Sequence, residues 1–223
     1  MISSLINGSA GSYLMELLYR LPAILVAIAF HEWAHAYAAY KRGDPTAYNL
    51  GRMSLNPFDH LDITGFIMLV VFRFGWAKPV PINTRNFSSP RKDEIIVSLA
   101  GVATNLILAF ISMGLFFLLV YGFNYYNDAL VTIIYYFYFI NMGLCVFNLL
   151  PIPPLDGYRV AACLLSRKIG YRTFDFLERY GFAILVVLLL TGTLSSIMSS
   201  VISAVMSGML NIYSRLFSLL GVI

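Results

Sequence analysis

Apolar positions dominate this chain in long runs, and polar residues gather at the breaks between them. The first run, residues 13–40 (YLMELLYRLPAILVAIAFHEWAHAYAAY), predicts a long helix with Pro22 as a point where it can kink. KRGD-P closes it: Gly43 suits a C-cap, and Pro45 lies just beyond. Residues 44–62 form a polar connection carrying Pro45, Pro57, Asp59, His60 and Asp62. ITGFIMLVVFRF (63–74) is apolar but only twelve residues long. A spanning helix needs about 20, so a re-entrant or half-membrane segment is predicted. GWAKPVPIN (75–83) alternates Pro79 and Pro81 with Val80 and Ile82, an extended pattern suited to a strand edge or loop. Further helices are predicted over 94–121 and 130–150, the second broken by Pro151, Pro153 and Pro154. Residues 157–178 are polar and basic and predict a short surface helix. Residues 180–202 can span again. Residues 203–221, interspersed with Ser203, Ser207, Asn211, Ser214 and Ser218, read either as a last span or as an interfacial helix.

Composition turns this pattern into a class. Of 223 residues, 59% are hydrophobic and 12% charged, about half the charge of a soluble domain. Mean hydropathy is +0.77. A soluble fold would expose too much apolar surface, and a disordered chain is polar. The expectation is an all-α polytopic membrane protein: a bundle of about 4–6 transmembrane helices with a re-entrant segment and a short extended segment. The whole chain, 1–223, reads as a single membrane domain. The net charge of +4 gives topology, not nucleic-acid binding. Lys41, Arg42 and Arg52, then Lys78, Arg85, Arg91 and Lys92, then Arg159, Arg167, Lys168, Arg172 and Arg179 mark cytoplasmic segments. Residues 122–129 have no Lys or Arg and are expected outside. Both ends of 63–74 then lie on one side, as a re-entrant segment requires. No basic n-region precedes an apolar run, so the first helix is expected to be retained. Cys145 and Cys163 do not make a disulfide scaffold.

Chemistry concentrates in His31-Glu32-Trp33-Ala34-His35, an HExxH sequence on the first helix. A spacing of four puts both imidazoles on one face, able to ligate one ion, with Glu32 beside the first ligand. Three ionisable side chains at membrane depth each cost about 2.5–3.5 kcal/mol or more if unpaired. Metal binding offsets that cost. A catalytic zinc takes three protein ligands and a structural one four. His60 is the only other histidine, and carboxylates are the candidates for a third ligand. Asp156, in PIPPLDG, stands out; on position alone, a helix N-cap is the simpler reading of it.

HEWAHAYAAYKRGDPTA (31–47), LNPFDHLDITG (55–65), GWAKPVPIN (75–83), SLAGVATN (98–105) and FNLLPIPPLDG (147–157) together resemble the site-2 protease family of intramembrane zinc metallopeptidases. The closest likeness is to small prokaryotic members without a PDZ domain. The family commonly has Pro after the Gly of the SLAG block, where this chain has Val102. The resemblance implies one zinc ion per chain held by His31, His35 and Asp156, with Glu32 as catalytic acid/base. It also implies a catalytic core of about 13–165, with C-terminal helices at 178–221 outside it. Asn148 is drawn into the active-site neighbourhood. Asn105 and Asn148 are candidate oxyanion donors, or interhelical hydrogen-bonding residues. His60 is a candidate for positioning substrate or for holding its own turn. Ala77, Lys78, Val80 and Ile82 keep N–H groups that an unwound substrate strand could use. Trp76 and Lys78 are candidate interfacial anchors.

The function expected is a zinc-dependent intramembrane endopeptidase acting on transmembrane or membrane-proximal segments of other proteins. It is expected in the lipid bilayer of a prokaryotic cell, with its site nearer the cytoplasmic face. A membrane HExxH protease of another kind would need a downstream glutamate ligand, and neither Glu94 nor Glu178 has a suitable setting. The alternative from another class is a non-catalytic metal-binding or ion-conducting membrane protein, which has no need of Glu32.

Overall fold

The computed structural model describes residues 10–72, 75–165 and 170–221. Along the chain run α1 (Ala10–Lys41), α2 (Thr46–Asn49), α3 (Ile63–Phe72), α4 (Pro90–Phe117), α5 (Asp128–Asn148), α6 (Asp156–Leu165), α7 (Tyr171–Leu190) and α8 (Thr193–Leu219). A π-helical turn, Leu118–Gly122, prolongs α4. Among the described residues there is no strand, only an isolated antiparallel bridge between Leu61 and Ala77.

Four helices, α1, α4, α5 and α8, are long and apolar enough to cross a membrane. Their outward faces carry exposed Leu106, Ile107 and Ile111 on α4 and Ile197, Val201 and Ile212 on α8. Water would penalise such patches, whereas hydrocarbon accepts them. The chain is an all-α integral membrane protein. Its main core lies where α4, α5 and α8 meet: Met113 and Phe117, Tyr138 and Met142, Met209 and Tyr213. α1 approaches this group through small residues. Ala23, Ala27, Ala34 and Ala36 are all buried, and their size allows close helix contact.

The C-terminal helices depart from expectation. The break falls at Thr191–Gly192 and not near residue 202, because Gly192 takes a left-handed conformation, φ +73°. The expected span 180–202 is therefore the end of α7 and the start of α8. Residues 203–219 are the second half of a spanning-length helix. Its serines do not interrupt it, since Ser200 and Ser207 return their hydroxyls to the carbonyls of Ser196 and Ser203. The expected single helix over 157–178 is α6 followed by α7. Residues 166–169, with Arg167 and Lys168, lie outside the described residues, as do 73–74 of the short apolar segment. α1 continues through Pro22.

Candidate active site

On α1, His31 and His35 stand one turn apart with their Nε2 atoms 3.0 Å from each other. Asp156 opens α6 and brings its Oδ2 to 3.3 Å from His31 Nε2 and 3.2 Å from His35 Nε2. Two glycines make this convergence possible. A Cβ on Gly101 of α4 would lie 2.5 Å from His35 Nε2 and 2.7 Å from His31 Cε1, so the imidazoles occupy the space a side chain would need. A Cβ on Gly157 would lie 2.2 Å from the Leu149 carbonyl oxygen, which lets the DG turn fold back on the end of α5.

The outer ring nitrogens settle the protonation pattern. His31 Nδ1 is 2.6 Å from Asn105 Oδ1, and His35 Nδ1 is 2.7 Å from the Val97 carbonyl oxygen. Both partners accept, so each Nδ1 donates and each neutral ring keeps its Nε2 lone pair facing inward. Asp156 Oδ2 has no hydrogen-bond partner. Three lone pairs thus converge in a buried space, a donor set that could hold a metal ion. Bonds of about 2.0–2.2 Å to nitrogen and oxygen in a tetrahedron imply ligand–ligand edges of about 3.3 Å. The observed 3.0, 3.3 and 3.2 Å fit that shape.

Glu32, 8% exposed, accepts a hydrogen bond of 2.8 Å from the Val80 N–H. Segment 75–83 is extended as expected, and two of the donors reserved for substrate are engaged within the chain. Val80 donates to Glu32, and Lys78 to the His60 carbonyl at 2.8 Å. Ala77 forms the bridge to Leu61, while Val80 and Ile82 pack with Ala36 and Ala47. Asp44, fully buried, anchors the far end of the segment. It accepts from the Asn83 N–H at 2.7 Å, from Asn86 Nδ2 at 2.8 Å, and from both the N–H and hydroxyl of Thr46. These bonds outweigh burial, which alone would raise the Asp44 carboxyl, and hold it below its ordinary range.

Of the residues expected in the site, His31, His35, Asp156, Glu32, Asn105 and Val80 come together. Asn105 does so in a different capacity from an oxyanion donor: its amide donates to Ala27 O and Asn141 Oδ1. Both hydrogens are used, and its oxygen orients His31. Asn148 donates to Leu144 O on its own helix. His60 is fully buried and ties its own turn, with Nε2 2.8 Å from Ser54 O. Sequence reasoning passed over Asn141, although a lone amide in an apolar helix was a visible signal. It also missed Gly101 and the Val97 carbonyl, which act through a missing Cβ and a backbone atom.

Comparison with known proteins agrees with this geometry. The model of peptidase family M50 matches residues 119–191, which include Asp156. A Bacillus subtilis (strain 168) protein named "Putative zinc metalloprotease YwhC" is 43% identical over 180 residues, covering 78% of this chain and 80% of its own. "Putative zinc metalloprotease Rip2" of Mycolicibacterium smegmatis is 31% identical over 193 residues, covering 82% and 71%. No solved structure matches. Likeness at that identity, along four-fifths of a relative's length and through the segment bearing Asp156, bears out the resemblance to site-2 proteases: this chain belongs to peptidase family M50.

Proposed function

We propose that the chain is a zinc-dependent intramembrane endopeptidase that cuts transmembrane or membrane-proximal segments of other membrane proteins. It would act as one domain, 1–223, with its core at about 13–165. The observation that carries this reading is the convergence of His31, His35 and Asp156 beside buried Glu32 within a membrane-spanning bundle. Zinc held by those three residues would lower the pKa of water toward about 7 and polarise a carbonyl oxygen. Glu32 is placed to take the proton of the attacking water and to give it to the leaving amine. The Val80 N–H fixes one Glu32 oxygen, so that the other receives the proton. Asn105 and Val97 keep both imidazoles in the tautomer that presents Nε2.

Segment 75–83 would serve as the extended edge beside which substrate lies, in the β-addition mode, with Ala77 and Ile82 as its donors because the Lys78 and Val80 N–H groups are engaged within the chain. A helical substrate must unwind there, because its own carbonyls and N–H groups are paired. Asn148, eight residues before Asp156, keeps a second amide hydrogen for a developing oxyanion. The basic segments put the site nearer the cytoplasmic face of a prokaryotic cell membrane.

The test uses purified protein in nanodiscs, a transmembrane reporter and zinc measured by mass spectrometry. Glu32→Gln should keep its zinc and lose cleavage, while Asp156→Ala should lose both. Unaltered cleavage by Glu32→Gln, or bound zinc with no proteolysis in any variant, would favour the non-catalytic alternative.

A further inference from the structure

A cavity of about 380 Å³ lies among three of the four membrane-spanning helices and is not used by the chemistry above. Ile24 and Ile28 of α1 form one wall, Gly143 of α5 and Met198 of α8 form others, and Ala77 borders it. Ile24, Ile28 and Glu32 follow one another at intervals of four, so cavity and catalytic carboxylate share one face of α1, one to two turns apart. The extended backbone makes the same connection independently. Ala77 borders the cavity, and Val80, three residues on, donates to Glu32.

We infer that this cavity is a specificity pocket for a bulky apolar side chain, Leu, Met or Phe, of the unwound substrate. The inference rests on the proposed peptidase reading. A helical step of about 5.4 Å per turn and an extended step of about 3.3 Å per residue place that side chain two or three residues from the scissile bond. Fully buried His60 closes one side of the cavity, and the rest of its lining is mostly apolar, as a bulky apolar side chain requires. Gly143 is the natural control, since a Cβ there would meet nothing within 4 Å.

The experiment has two arms in nanodiscs. In the first, a library of apolar transmembrane peptides is cleaved by wild type and by Gly143→Phe, and the products are sequenced. Wild type should favour Leu, Met or Phe at one position two or three residues from the cut. Gly143→Phe should keep its zinc, cut peptides bearing Ala there, and lose at least about 10-fold on those bearing Phe. In the second, zinc-loaded Glu32→Gln is irradiated with peptides carrying photoactivatable leucine, and crosslinks are expected at Ile28 and Met198. Met198→Trp provides a second filled pocket should Gly143→Phe fail to fold. Crosslinks without any cleavage by wild type would sink the peptidase reading and leave the pocket standing. Cleavage with an unchanged preference in a folded filled variant, or crosslinks absent from the pocket, would overturn the pocket. Crosslinks displaced by phospholipid acyl chains, with no change in cleavage, would make it a lipid site and also overturn it.

Discussion

A methyl group at position 101 is the smallest change that should dismantle the metal centre. The Cβ of Gly101→Ala would stand 2.5 Å from His35 Nε2, and only a shift of α4 or of the ring relieves that. Zinc content should fall at least about 10-fold with helical content unchanged, read by metal analysis and circular dichroism. Asn105→Leu should weaken zinc binding by about 10–100-fold, since the His31 tautomer loses its keeper. Asp44 makes a different prediction. Its folded pKa lies below the unfolded value of about 3.9. The folded state therefore binds fewer protons there, and Asp44's contribution to stability is full above about pH 5 and lost as pH falls further. Between about pH 5 and 3 the thermal midpoint of wild type should drop more steeply than that of Asp44→Asn. Parallel curves would deny Asp44 this role. The approach of His31 to His35 was legible because four-residue spacing on a helix dictates a shared face. The work of Asn105 was not, because what an amide meets depends on how α1, α4 and α5 pack.

At the scale of elements, prolines and glycines were informative in opposite ways. Pro79 and Pro81 made 75–83 readable as extended, since they forbid a helix. That one of its N–H groups would bond Glu32 was beyond reach, because the contact joins residues 48 apart in sequence. Val80→Pro removes this donor without adding charge. It should retain zinc and lose about 100-fold in cleavage rate, the scale of one preorganised donor, measured with the transmembrane reporter. Unchanged cleavage with zinc retained would make 75–83 a connector. Gly192 shows the reverse case. By length and average hydropathy 180–202 reads as one span, and a single glycine in left-handed backbone divides it. Periodicity has no term for that. It also took the α8 serines as weakening a span, whereas hydroxyls bonded within the helix leave it intact.

For the whole molecule, the same few charges that mark the loops predict its sidedness. His35 lies eight residues before Gly43, about 12 Å along a helix, and Lys41, Arg42 and Arg52 cluster around Gly43 and the connection that follows it. Arg159 lies in the first turn of α6, the helix opened by Asp156, and Arg172 in the first turn of α7. The opposite end of the bundle, between α4 and α5, carries aromatic and amide residues, with Asp128 as its acid and no base. Positive charge is retained in the cytoplasm, so the metal-binding end of α1 should face inward. Single cysteines test this where side chains are exposed: Asn49→Cys, Tyr126→Cys and Arg172→Cys, in a background where Cys163 is replaced by Ser and buried Cys145 is kept. In intact cells a membrane-impermeant maleimide should label position 126 alone, and after lysis it should label 49 and 172 as well. Labelling of 49 and 172 in intact cells, with 126 protected, would reverse the orientation and put the chemistry at the outer face.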